Sequence, residues 1–107
     1  MTTDSIRGSS DRSILVLTSL ADCPKHGYAL IKDIEAIAGT TLGPGTLYGA
    51  LSRLEQHGLV EALPAQDRRR PYRVTPAGAE KVRAYLEHVQ RVAAVGLKRL
   101  EAYPWPG

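Results

Sequence analysis

The chain has a single cysteine, no long apolar run and no cluster of catalytic side chains, and each shortage excludes something. Cys23 is the only cysteine among 107 residues. A lone thiol closes no intrachain disulfide, so no oxidising compartment is implied. No stretch reaches the about 18 consecutive apolar residues of a membrane span. The polar segment over residues 1–10 lacks the apolar run of a signal peptide. The expected setting is cytoplasmic, with no membrane partner. A zinc site takes about four ligands, yet Cys23 and His26 have no second pair, and His57 and His88 stand alone. Asp33 and Glu35 lie two apart in a helical stretch and point in different directions. No Ser/His/Asp spacing, glycine-rich nucleotide loop or Cys/His nucleophile is present. The expectation is a non-enzyme with no catalytic residue, no metal and no cofactor. Internal repeats and low-complexity tracts are absent too.

What is there fits one small domain. Apolar residues make up 43% and charged residues 23% of the chain, an ordinary balance for a globular protein. At this length the core is small, and a second subunit could complete it. The net charge is +3 and the pI about 9.2. That permits a nucleic-acid partner without demanding one. The distribution says more, because Arg68, Arg69, Arg70 and Arg73 stand together.

Periodicity divides the chain. Residues 1–10 carry no apolar repeat and read as a flexible tail. Asp11 can cap a first helix, in which Ile14, Leu17, Leu20 and Ala21 recur at helical spacing with Leu15 and Val16 on a second face. Pro24 stops it. A second helix starts near His26-Gly27, with Leu30, Ile31, Ile34, Ile37 and Ala38 as the expected buried stripe and Gly39 as a left-handed stop. Pro44 suits the first turn of a third helix. Leu47, Ala50, Leu51 and Leu54 form its inner stripe, and Gly58 ends it. Short extended runs, Leu59 to Leu63 and Tyr72 to Thr75, flank Gln66 to Arg70 and signal a hairpin without an Asn-Gly turn. Thr75 caps and Pro76 opens a last helix. There Ala79, Val82, Leu86, Val89, Ala93, Gly96, Leu100 and Tyr103 follow a heptad-like seam, a pattern for packing on a partner helix. The expected fold is mainly α with a small two-stranded β-hairpin. It comprises a winged helix-turn-helix over residues 11–75, one long dimerisation helix over 76–103, and a tail over 104–107.

That order of elements is a device for holding duplex DNA. The third helix has a buried stripe to anchor it and polar side chains facing out. Gly43-Pro44-Gly45 would bring its N-terminus, with free N–H groups and partial positive charge, close to a phosphate. The candidate contacts are Gly45, Thr46 and Tyr48 to the backbone, with Ser52 and Arg53 reaching bases or the far strand. Tyr28 and Lys32 are further candidates on the second helix. An amphipathic helix with a solvated face explains the third helix alone equally well. The run Arg68, Arg69 and Arg70, set between two strands just after that helix, favours a basic wing that enters a minor groove or lies on phosphates. Trp105, in a Pro-flanked stretch, either packs on a partner subunit or stays free.

The segments HGYALIKDIE, LGPGTLYGALSRLEQHGLVE and PYRVTPAG resemble the PadR family of winged-helix transcriptional regulators. The resemblance covers roughly residues 14–78. It implies a homodimer that binds an inverted repeat in a promoter, usually as a repressor. It also implies dimerisation through the last helix, by Val82, Leu86, Val89, Ala93, Gly96 and Leu100, with Ile14 of the first helix contributing. Some compact family members bind planar aromatic molecules in a cavity at the dimer interface. Tyr85, Tyr103 and Trp105 are the residues here that could line a similar effector pocket. Two positions depart from the usual pattern: Gly43 stands where Ser or Thr often caps the third helix, and Gly49 where Pro often follows the tyrosine. Two alternatives remain beside the repressor: a ligand-responsive regulator, and a winged-helix protein-interaction module that never touches DNA.

Overall fold

In the computed structural model, which describes residues 9–107, helix α1 spans Ser9–Leu20 and a two-residue strand β1 spans Lys25–His26. Helix α2 follows over Gly27–Ala38 and α3 over Pro44–Gln56. The strands β2, Val60–Ala62, and β3, Pro71–Val74, form the hairpin, and α4 runs from Pro76 to Glu101. The first helix thus takes in Ser9 and Ser10, and Asp11 lies inside it instead of capping it. The rest of the expected tail, residues 1–8, lies outside the described residues.

The expected hairpin is present, but it belongs to a three-stranded antiparallel sheet in the order β1-β3-β2. Lys25 pairs with Tyr72 and His26 with Pro71 on one edge of β3, while Val60 pairs with Val74 and Glu61 with Arg73 on the other. Strand β1 is two residues long, too short for an alternation of side chains to mark it in sequence.

The core gathers one stripe from each element. Val16, Leu17 and Leu20 of α1 meet Leu30 and Ile34 of α2, and Leu47, Ala50, Leu51 and Leu54 of α3, with Val60 and Val82 closing the cluster. Each fully buried leucine contributes roughly 1.5–3 kcal/mol relative to exposure. Leu42, in the link between α2 and α3, is buried as well. Ile37 and Ala38, expected inside, are exposed, Ile37 by 49%. The last turn of α2 runs past the core, where helical spacing no longer implies burial. Gly39 follows with φ 68°, and its N–H reaches the Glu35 carbonyl at 2.8 Å.

Polar contacts lock the frame at two joints. The buried Ser19 hydroxyl donates to Asp33 Oδ2 at 2.6 Å, tying α1 to α2. Lys25 donates to the Ser19 carbonyl and to Asp22 Oδ1, the latter at 2.7 Å, closing the end of α1. Burial works against the Lys25 charge. The bond to Asp22 and the negative groups of Cys23, Asp22 and Asp33 outweigh it and hold the ammonium pKa above the usual lysine value. The same hydrogen bond lowers the pKa of Asp22. At the other joint, Thr75 Oγ1 accepts from the Gly78 N–H at 3.1 Å and donates to the Gly58 carbonyl at 2.7 Å. A β-carbon on Gly78 would lie 2.8 Å from Val74 Cγ2 and 3.0 Å from the Leu59 carbonyl carbon. Only glycine lets α4 leave the sheet this closely.

From there α4 departs. Only Gly78 and Val82 of its 26 residues are buried. At 1.5 Å per residue it is about 39 Å long, and the described chain measures 58 × 26 × 25 Å.

Candidate nucleic-acid interface

The N-terminus of α3 is open. Gly43 is its N-cap, with φ −74° and ψ 158°, and offers no side-chain hydrogen bond; Pro44 follows at the first helical position. The first intrahelical bond runs from the Leu47 N–H to the Gly43 carbonyl at 3.0 Å. The amides of Gly45 and Thr46 precede it and find no acceptor inside the helix. Thr46, Tyr48, Ser52 and Arg53 are all exposed. The Arg53 guanidinium stays near the helix surface: a β-carbon on Gly49 would lie 3.8 Å from its Nη1. On one flank, a groove of about 560 Å³ is lined by Arg12, Leu15, Leu42, Gly43 and Thr46. Arg12 therefore reaches the start of α3 from α1, which nothing in its sequence neighbourhood signals.

The start of α2 is joined to this surface through Tyr48. A β-carbon on Gly27 would lie 2.8 Å from Tyr48 Cζ and closer still to the hydroxyl oxygen. The tyrosine ring lies over bare glycine backbone, so the two sequence segments that carry these residues act as one contact. Tyr28, the next residue, is exposed, and Lys32 Nζ sits 5.9 Å from its ring centroid, a cation–π pair on the outer face of α2.

The wing closes on a two-residue turn. Gln66 and Arg69 exchange backbone hydrogen bonds of 2.7 and 2.8 Å. Between them Asp67 and Arg68 both have positive φ, 49° and 68°. This is the type I′ geometry that Asn-Gly usually fills. Asp67 suits the first of these positions, but Arg68 stands where glycine is usual, which weakened the turn's signal in the sequence.

The wing arginines are not equivalent. Arg70 Nη1 donates to the Leu63 carbonyl at 3.1 Å. Arg73 pairs with Glu61 across the strands at 3.1 Å. Arg69 Nη1 lies 3.5 Å from His26 Nε2. His26 caps α2, its Nδ1 accepting from the Ala29 N–H at 3.4 Å. The Arg69 guanidinium therefore packs against the outer edge of the capping ring. Among the described residues Arg68 alone of these four makes no polar side-chain contact, and it stands at the apex.

On α4 the apolar seam lies open. Leu86, Val89, Ala93, Gly96 and Leu100 are exposed, whereas Val82 belongs to the subunit's own core and Ile14 is half-buried on α1. Val92, Val95 and Leu97 widen the exposed apolar surface beyond the seam. Tyr103 and Trp105 form an edge-to-face ring pair at 4.6 Å, and the indole N–H donates to the Leu100 carbonyl at 3.0 Å. Tyr85 is five helical turns earlier, about 27 Å away along the axis. One chain cannot gather these three aromatics into one pocket. Among the described residues, no group of three His, Cys, Asp or Glu could hold a metal ion, and no helix is long and apolar enough to cross a membrane.

Comparison with known proteins settles what this frame is. Residues 16–84 match the transcriptional regulator PadR-like family. The chain belongs to that family. PadR-family regulators bind DNA, and the mainly helical fold with its small antiparallel sheet is their winged helix. A PadR family transcriptional regulator from Eggerthella lenta is similar, with a TM-score of 0.63 and 33% identity, covering 85% of this chain and 81% of that one. A transcriptional regulator from Clostridium thermocellum superposes with a TM-score of 0.72 at 27% identity, covering 92% of this chain and 96% of that one. An uncharacterised 37.1 kDa protein in a Streptomyces fradiae transposon is 53% identical over 72 residues, 67% of this chain. The PadR-like chain spans 21% of that relative's length.

Proposed function

We propose that this PadR-like regulator is a homodimeric repressor, cytoplasmic, that binds an inverted repeat in a promoter. The observation that carries the reading is the pairing of an open α3 N-terminus with a wing whose apex is an unpartnered arginine. Phosphate is the anion that both features suit. The amides of Gly45 and Thr46 and the hydroxyls of Thr46 and Tyr48 meet the backbone at the start of the recognition helix. Ser52 and Arg53, one turn further, face base edges in the major groove. Tyr28 and Lys32 hold the adjacent backbone. Arg68 enters the minor groove, with Arg69 and Arg70 fixing the wing beside it.

Binding to a fragment from the promoter of its own or a neighbouring operon tests this. A retarded complex with a two-fold footprint, and a raised reporter signal on deletion, are expected. No retardation of any genomic fragment at low salt would instead support a protein-interaction module. The fixed Tyr103–Trp105 ring pair favours a second reading, a regulator responsive to a planar aromatic ligand. Trp105 is the only tryptophan, so its fluorescence reports such a ligand directly. Emission that ignores every planar aromatic compound tried removes that reading.

A further inference from the structure

The tip of the wing overhangs the sheet that carries it. Strand β1 supports β3 only as far as the pair of His26 with Pro71. Beyond that pair, the turn from Gln66 to Arg69 is closed by its own backbone bonds. An open groove of about 800 Å³ separates this turn from the start of α2, with Lys25, His26 and Ala29 on one wall and Gln66, Asp67 and Arg69 on the other. Among the described residues, one polar side-chain contact crosses the groove. Arg69 Nη1 lies 3.5 Å from Nε2 of His26, which stands 43 positions earlier in the chain. Lys25 is already engaged by the Ser19 carbonyl and Asp22, and no ion pair joins Asp67 to Arg69.

His26 is an unusual residue for the place it holds. It is the N-cap of α2, where serine, threonine, aspartate and asparagine are the common choices. Each of those satisfies a free amide and reaches no further. An imidazole carries a second nitrogen on the far side of a rigid ring. Here Nδ1 faces the Ala29 N–H at 3.4 Å while Nε2 faces the wing. The ring is half-buried at the helix start, and Arg69 is exposed. The cap therefore also serves as a fixed stop for a long, flexible side chain. The next residue, Gly27, lies under the Tyr48 ring of α3. Residues 26 and 27 thus join the wing, α2 and the recognition helix at one point.

We propose that His26 is a positioning residue for DNA binding: its ring holds the Arg69 guanidinium and, through it, sets the wing tip against the recognition helix. This rests on the DNA-holding wing proposed above. An arginine that is free before binding loses rotamer freedom when it meets a phosphate, and one held beforehand loses less. The difference is worth about twofold to tenfold in affinity for each such side chain.

The two ends of the imidazole can be removed separately. Asparagine places its amide oxygen near the position of Nδ1 and remains a good cap, but it is too short to reach Arg69. Glutamine reaches as far as Nε2 but caps poorly. Binding to a labelled duplex from the protein's own promoter is measured at low salt, where phosphate contacts hold any sequence, beside a urea titration. His26→Asn is expected to keep the wild-type urea midpoint and to bind about twofold to tenfold more weakly per wing, as Arg69→Ala does. In the Arg69→Ala background, His26→Asn should change nothing further. His26→Gln should have a lower urea midpoint yet bind more tightly than His26→Asn. Wild-type affinity in His26→Asn, an equal loss with and without Arg69, or affinity that follows the urea midpoint through the set overturns the positioning role. Arg69→Ala that binds as tightly as wild type at every salt concentration removes Arg69 from the interface, and His26 with it.

Discussion

Arg68 holds a backbone conformation that suits glycine, at φ 68°, and its side chain makes no hydrogen bond or ion pair among the described residues. A strained residue at a turn apex is kept for what its side chain reaches. Replacing it with glycine should separate the two roles. Arg68→Gly is expected to stabilise the fold by up to about 1 kcal/mol, since the turn loses its strain. It should also weaken DNA binding and reduce the salt slope by about one counterion. A urea titration beside a binding titration reads both, and unchanged affinity would remove Arg68 from the interface. Gly27 makes the opposite case. Its neighbour is the Tyr48 ring, so Gly27→Ala must displace that ring or the start of α2. Overpacking of this kind typically costs about 1–3 kcal/mol, and DNA affinity should fall with it because Tyr48 moves. A melting temperature equal to wild type would mean that the ring has room to give.

At the scale of elements, caps and end contacts decide where helices begin and point. Gly43 leaves the α3 N-terminus without a side-chain cap. Gly43→Ser should supply one and stabilise the fold by a few tenths of a kcal/mol, because a glycine cap is only slightly poorer than serine. Thr75 is different, since its hydroxyl bonds to both α4 and the Gly58 carbonyl. Thr75→Ala should cost about 1 kcal/mol or more, seen as a lower urea midpoint. Lys25 closes α1 as a cation whose pKa is raised in the folded state. A raised amine holds its proton more tightly when folded. Its contribution is therefore complete below the unfolded lysine value of about 10.4 and is lost as pH rises through the folded value. Stability measured from pH 8 to 11 should drop less steeply in Lys25→Met than in wild type.

These elements were unequally legible in the sequence. The stripe Leu47, Ala50, Leu51 and Leu54 could be read because each residue faces the core at helical spacing. Ile37 fits the same spacing in α2 but is exposed, because burial depends on what lies opposite and not on the helix itself. The exposure of Thr46, Tyr48 and of the arginines Arg68, Arg69, Arg70 and Arg73 could also be read. What divides those arginines was not, because Leu63, Glu61 and His26 engage three of them only once the sheet forms. Strand β1 has meaning only through β3, and Arg12 joins the α3 groove only through the packing of α1. The reason for Gly27 lies in Tyr48, on another helix.

At the scale of the whole molecule, the protein is a small winged helix with an apolar arm. In the proposed homodimer, two such units would read a palindrome with the affinity of both. Leu100→Glu should split the proposed dimer and weaken operator binding far more than it weakens the fold of the winged helix. Sedimentation and circular dichroism together check that. The central claim is that α3 and the wing hold duplex DNA through phosphates. The most direct measurement is the affinity for the promoter duplex across a salt series, for wild type and for Arg68, Arg69 and Arg70 together changed to alanine. The account predicts a steep linear fall of log affinity with log salt for wild type, and a weaker, shallower line for the variant. Two coincident lines would contradict it.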